Sequence, residues 1–193
     1  MNKECCCHNP FCLGLSDEVR EKLCSIAHKV TYKKFNEQLI FFNFERILII
    51  EEGAALLSRG GHVSERQQGT DILEPGNLVG VVQAFHPDYE AAINLLPLTP
   101  LTGCLINLHE IENLITIYPE LAVAMLTEFS ERFGRIASKL AIHSYGSAQE
   151  RLDFTLSRVE ELGLNNTVTQ EQLARLSGLS RVTVNKLMQV TKN

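Results

Sequence analysis

The stretch from Thr167 to Met188, TVTQEQLARLSGLSRVTVNKLM, dictates most of its own geometry. Thr169 is placed to cap a short helix whose apolar residues Leu173, Ala174 and Leu176 fall on one face. Ser177-Gly178-Leu179 interrupts it, and Gly178 can take the positive φ that a sharp turn between helices demands. Ser180 then caps a second helix that buries Val184, Leu187 and Met188. Arg181, Val182, Asn185 and Lys186 point outward, with Thr183 beside them. An ordinary helical hairpin would also account for two amphipathic helices. Caps, glycine turn and both apolar stripes agree in register, however, and that agreement selects a helix-turn-helix whose second helix is suited to a DNA major groove.

A net charge of -5 looks wrong for a nucleic-acid binder. From Thr167 onward, though, Arg175, Arg181, Lys186 and Lys192 face Glu171 alone, a net of +3 on the reader. A small basic reader on an acidic body suits sequence-specific binding better than indiscriminate adhesion to polyanions. The chain is 45% hydrophobic and 21% charged, the balance of a globular protein. No apolar run is long enough to span a bilayer, and the polar, cysteine-rich start does not resemble a signal peptide. A cytoplasmic protein with no membrane contact is expected.

The 193 residues divide into four segments by pattern. Residues 1–15 form a cysteine-rich arm. Residues 16–118 begin with a helix capped by Ser16, which buries Val19, Leu23, Ile26 and Ala27 with Cys24 packed alongside. Short β segments follow, among them Gln38–Phe44, Arg46–Ile50, Ala54–Ser58, Thr70–Leu73, Leu78–Val82, Ala91–Leu96 and Leu101–Ile106. Glycines and prolines punctuate them, as in a sandwich, roll or barrel. A short helix from His109 to Ile117 ends at Tyr118-Pro119. Residues 119–145 then read as one long helix, with Ala122, Leu126, Phe129, Phe133, Ile136, Leu140 and His143 at alternating four- and three-residue steps. Such a seam calls for a partner helix, so Leu126, Phe129, Phe133, Ile136 and Leu140 are the expected homodimer interface. A long helix lying on its own β domain is the alternative. Residues 146–193 begin with a Gly146-Ser147 hinge and an amphipathic helix before the helix-turn-helix.

This order resembles the CRP/FNR family of bacterial transcription regulators. The resemblance covers about Phe11 to Met188 and rests on six segments in sequence: Gly14-Leu-Ser-Asp-Glu, Ile50-Glu-Glu-Gly, Leu73-Glu-Pro-Gly-Asn-Leu-Val-Gly, Ile117-Tyr-Pro-Glu-Leu, Gln149-Glu-Arg-Leu and Leu179-Ser-Arg-Val-Thr-Val-Asn-Lys. It implies an α+β fold: an N-terminal jelly-roll β-roll like a cyclic-nucleotide-binding domain, a dimerisation helix and a C-terminal helix-turn-helix. It also implies a palindromic double-stranded DNA site, read by Ser180, Arg181, Val182, Thr183, Asn185 and Lys186, and RNA polymerase as a partner. Cyclic-nucleotide-binding members carry Gly-Glu after the roll's turn and later Arg followed by Ser or Thr. Here those positions read Gly80-Val81-Val82 and Glu90-Ala91-Ala92. A phosphodiester cannot be held half-buried without a cation or strong donors, so cAMP is rejected as effector. The family's β-hairpin wing has no counterpart before Asn193, so it is either absent or beyond the sequence at hand.

The six cysteines, Cys5, Cys6, Cys7, Cys12, Cys24 and Cys104, then become the candidate sensor. The chain resembles the FNR-like branch, which holds a [4Fe-4S] cluster on three N-terminal cysteines and one on the roll. Cys104 and Cys12 stand where two of those ligands are expected, and Cys6 to Cys12 reproduces the branch's five-residue gap. The branch's next ligand position, upstream of Cys6 across two intervening residues, is occupied by Lys3, so a third ligand would come from Cys5 or Cys7. Two alternatives need fewer thiols: a reversible disulfide between the arm and Cys104, or zinc with His8 joining. Haem is a further possibility, but no spacing singles out His62, His86, His109 or His143. No P-loop, paired acids or nucleophile–base set points to an enzyme. A sensing or dimerising module of the same fold, without DNA binding, is the remaining class.

Overall fold

The computed structural model describes residues 8–33, 40–41, 45–59, 68–86 and 93–190. Two short helices, α1 (Pro10–Leu13) and α2 (Asp17–Ile26), lead into eight strands: β1 (His28–Tyr32), β2 (Ile40–Phe41), β3 (Arg46–Glu52), β4 (Ala55–Arg59), β5 (Gln68–Leu73), β6 (Leu78–Val79), β7 (Ile93–Pro97) and β8 (Leu101–Asn107). A one-turn helix, α3 (Val81–Phe85), sits between β6 and β7. Five further helices or segments complete the chain as α4 (Leu108–Ile117), α5 (Pro119–Tyr145), α6 (Ala148–Glu161), α7 (Gln170–Ser177) and α8 (Arg181–Val190). The fold is the expected α+β roll, long helix and helix-turn-helix.

The strands form two antiparallel four-stranded sheets, ordered β1-β8-β3-β6 and β2-β7-β4-β5. Strand β3 explains why they stack. Successive side chains alternate across a sheet, and Ile47, Leu48, Ile49 and Ile50 are all buried, so both faces of this strand are covered. Leu48 and Ile50 meet Ala55, Leu73, Leu95 and Leu101 between the sheets. Ile47 and Ile49 face outward, where Phe11, Val19, Leu23, Ile111, Leu121 and Met125 from α1, α2, α4 and α5 cover them. The outer face of the second sheet is covered differently. Leu56 and Ile72 pack with Leu152, Val159, Leu173, Leu176 and Val184, which belong to α6, α7 and α8. The helix-turn-helix is therefore docked on the roll.

Local chemistry accounts for the departures from expectation. Leu78–Val82 is not one strand, because Gly80 adopts φ +96° and turns the chain into α3. A Cβ at Gly80 would lie 2.6 Å from the Arg46 carbonyl oxygen, so only glycine fits. Ser16 occupies the N-cap of α2, yet its hydroxyl does not cap: it donates to Glu120 Oε1 at 2.5 Å and ties α2 to α5. Helix α1 was not expected. Asn9 caps it by accepting from the Cys12 amide at 2.9 Å, and Pro10 supplies the preset φ of a first turn. Helix α5 opens on Pro119 as expected and runs 27 residues.

Candidate nucleic-acid interface and cysteine cluster

Each half of the helix-turn-helix is held by backbone caps. Thr169 and Gln172 form a reciprocal capping box at the start of α7. Gly178 takes φ +64°, and the Leu179 amide donates to the Ala174 carbonyl at 3.0 Å, closing the helix end. Ser177 at this turn is fully buried, its hydroxyl donating to the Leu173 carbonyl at 2.7 Å. The sequence reading used Ser177 only as a breaker; a hydroxyl among apolar neighbours was the missed signal. At α8, Ser180 Oγ accepts from the Thr183 amide at 3.0 Å. Val184 is completely buried, with Leu187 and Met188 half-buried against the same cluster.

The opposite face of α8 is free in the protomer. Arg181, Val182 and Lys186 are exposed, Val182 to 64%, while Thr183 and Asn185 are half-buried. The structure thus brings the six predicted reader residues onto one capped helical turn and its flank. A positive N-terminal end, two cations and a valine methyl pair can meet phosphates and base edges together.

Helix α5 carries two unlike faces. Leu121, Met125, Glu128 and Arg132 are buried against the roll, and Arg132 Nη1 donates to the Leu78 carbonyl. Burial pushes the Glu128 carboxyl upward, with Arg132, 3.7 Å away, opposing it. On the other face Leu126, Phe133 and Leu140 stand 63–66% exposed, while Phe129 and Ile136 are half-buried. Helix α5 therefore lies on its own roll and still presents the expected seam to solvent. His143 lies in the last turn of α5, at the hinge end of the seam. It is half-buried, and its pKa is lowered by burial and then by Lys139 and Arg151 nearby.

The thiols are arranged differently from a loose arm. Cys12 is 2% exposed and packed in the core beside Phe11, so this cysteine belongs to the roll's interior. The Asn9 amide donates to Cys12 Sγ at 3.4 Å and to Glu51 Oε2 at 3.1 Å. Glu51 also accepts from the His8 amide at 3.1 Å and lies 3.8 Å from Cys104 Sγ. Residues 8 and 9 are thereby pinned beside Cys104. Cys104 is buried in the middle of β8, paired with Lys29 on β1 and Ile49 on β3. Cys24 and Cys104 are both disulfide-bonded and pack in the same cluster. Cys24 packs there as expected; its oxidation is the added finding, for which its place two residues before the end of α2 gave no sequence signal. Cys5, Cys6, Cys7, Gly60, Gly61, His62, Glu90, Ala91 and Ala92 lie outside the described residues.

A [4Fe-4S] cluster needs four thiolates converging on one cavity. Of its candidate ligands, only Cys12 and Cys104 fall among the described residues. Cys104 is committed to a disulfide, Cys12 is buried in packing, and no group of three His, Cys, Asp or Glu side chains among them could hold a metal.

No family model matches the sequence, and no curated protein does. Solved structures share its fold. The c-di-GMP-responsive global regulator CLP of Xanthomonas campestris superposes with a TM-score of 0.75 at 15% identity, over 92% of each chain. A cyclic-nucleotide-binding-domain protein from Listeria monocytogenes gives 0.68 at 22% identity, over 86% of this chain and 81% of its own. FixK2 of Bradyrhizobium japonicum gives 0.69 at 15% identity, over 86% and 85%. These structures share the fold, a β-roll followed by a long helix and a C-terminal helix-turn-helix. No helix among the described residues is long and apolar enough to cross a membrane.

Proposed function

We propose that this chain is a homodimeric, cytoplasmic transcription regulator of the CRP/FNR type that binds palindromic double-stranded DNA and works with RNA polymerase. The observation that carries the reading is α8: a Ser180-capped helix, anchored by buried Val184, whose Arg181, Val182 and Lys186 face away from every other element. A helix positioned this rigidly with its polar face unused is built to meet something, and its charge suits a polyanion. Selection from a randomised duplex library should return an inverted repeat. Arg181→Ala should weaken that complex by about 10- to 100-fold, the loss of one bidentate base contact or its phosphate equivalent. If no duplex is bound above nonspecific affinity, the chain is a sensing or dimerising module instead.

Signal input is assigned to the thiols in preference to cAMP. Val81, at the first turn of α3, offers no donor or charge to a cyclic phosphate. The FNR-like cysteine pattern is used here through disulfide chemistry: two thiols give one disulfide, releasing two protons and two electrons to an oxidant such as a peroxide. Cys104 and Cys24 are the roll-side members, with Cys5, Cys6 and Cys7 as candidate arm members. Cys104→Ser should abolish any peroxide-dependent change in DNA affinity while leaving basal binding intact. Full peroxide response in Cys104→Ser would remove Cys104 from the mechanism, and full response in Cys24→Ser as well would remove the roll-side thiols.

A further inference from the structure

Between β5, α5, α6 and α7 lies a cavity of about 520 Å³, lined among others by Asp71, Arg135, Lys139, Phe154, Arg158 and Leu176. Gly80 and Val81 are not among its described lining residues, which come from β5, α5, α6 and α7. Its donors are unevenly used. Arg158 meets Glu74 at 2.5 Å and Glu161 at 3.2 Å. Lys139 Nζ donates to the carbonyls of Gly69 at 2.6 Å and Thr70 at 3.1 Å. Arg135 has no such partner: its Nε and Nη2 are buried without a hydrogen bond, the nearest carboxylate oxygen being Asp71 Oδ2 at 3.7 Å. Asp71 Oδ2 and Arg158 Nε are likewise buried and unbonded.

Buried donors and acceptors in native proteins are normally satisfied, and a guanidinium presents a planar fork that matches two oxygens of an oxyanion. We propose that this cavity binds a small organic oxyanion bearing a hydroxyl or amino group. The oxyanion is held by the free edge of Arg135 with Lys139 nearby. Asp71 Oδ2 accepts from the ligand's donor, and Ile72, Phe154 and Leu176 contact its apolar part. The volume suits a molecule of mononucleotide or tricarboxylate size. Burial lowers the pKa of Lys139 to about 8, with Asp71 opposing it. A ligand here would touch the roll, the long helix and the reader at once. Binding stands on the cavity and its donors alone, whereas a regulatory role for it rests on the regulator reading above.

The test uses full-length protein labelled with 15N, following the arginine Nε–H signals during titration with inorganic phosphate, AMP or citrate, and with sodium chloride at matched ionic strength. The Arg135 signal should move saturably with phosphate and not with chloride. AMP or citrate should saturate it at a concentration about tenfold lower, and whichever does so identifies a phosphate ester or a carboxylate as the ligand chemistry. Arg135→Gln should weaken binding by about tenfold or more. Should that variant unfold, Ser138→Trp, which fills the cavity from its exposed rim, should block binding with every cation retained. Shifts that are linear, equalled by chloride, or as large at the exposed Arg181 overturn the proposal. Binding that survives both substitutions also overturns it. DNA is absent from every arm, so failure here is distinct from failure of the regulator reading.

Discussion

Phe133→Glu isolates the dimer seam because Phe133 is 63% exposed in the protomer and touches no core. Fully burying a phenylalanine stabilises by about 1.5–3 kcal/mol, so covering this exposed fraction contributes about 1–2 kcal/mol per protomer. A two-fold interface uses every contact twice, giving about 2–4 kcal/mol for the pair. Glutamate forfeits that and brings two carboxylates together on the axis, so the dimer dissociation constant should rise by at least about 100-fold. Sedimentation velocity over a concentration series reads this directly, as dimers giving way to 21.6-kDa monomers. The fold itself should survive, since a solvent-facing substitution changes protomer stability by only about 0.5 kcal/mol. Met125→Glu is the contrasting change: Met125 is 5% exposed and packed on the roll, so that variant should unfold. A Phe133→Glu protein that sediments as a dimer would show the seam to be misassigned.

Other consequences follow from single side chains. Val182 offers a methyl surface and no acceptor, so its half-site position should favour thymine; Val182→Glu should shift preference toward a G·C pair by about 1–3 kcal/mol, read by library selection with both proteins. A Cβ at Gly69 would lie 2.8 Å from Leu56 Cδ1 and 3.3 Å from Leu176 Cδ2. Gly69→Ala should therefore loosen the reader from the roll at a cost of about 1–3 kcal/mol, visible as faster proteolysis between α5 and α6 with the roll's own melt little changed. Lys139 keeps its proton to about pH 10.5 when unfolded and only to about 8 when folded. The unfolded chain binds the extra proton in that window, so stability should rise with pH across it, by at most about 3 kcal/mol from this group. Urea melts between pH 7.5 and 10.5 should show that rise flattened in Lys139→Met.

What the residue pattern disclosed was whatever repeats at short range. The reader was legible because Thr169, Gly178 and Ser180 are local stop and start signals, and α5 because its apolar residues recur every seven. The apolar run Leu78–Val82 could not reveal that Gly80 converts its second half to helix, since strand and buried helix look alike over five residues. Helix α1 spans four residues, too few for any periodicity, so Cys12 was assigned to a loose arm when it lies in the core. The docking of the reader was hidden for a different reason. Leu173 and Leu176 read as packing within the helix-turn-helix, and they do pack there, but the same cluster extends to Leu56 and Ile72 on the roll. Nor could spacing join Lys139 to the Gly69 carbonyl or Arg158 to Glu74 across the fold.

The two sheets divide the labour in a way that fixes how thiol chemistry could reach DNA. Cys104, Cys12 and Cys24 all pack in the cluster on the outer face of the β1-β8-β3-β6 sheet, with Leu121 and Met125 from the first turns of α5. The reader packs on the outer face of the other sheet. No member of the first cluster belongs to α7 or α8, so a change at the cysteines meets the reader only through α5 or through the roll as a body. Reduction should therefore loosen α1, α2 and the N-terminal half of α5 first, and alter the geometry of the seam before the stability of the helix-turn-helix. Hydrogen exchange compared between oxidised and reduced protein measures this: amides of Leu121 to Phe133 should lose protection, while those of Leu173 to Leu187 keep theirs. Protection lost first in α7 and α8, with α5 unchanged, would mean that the thiols act on the reader by a route other than the long helix.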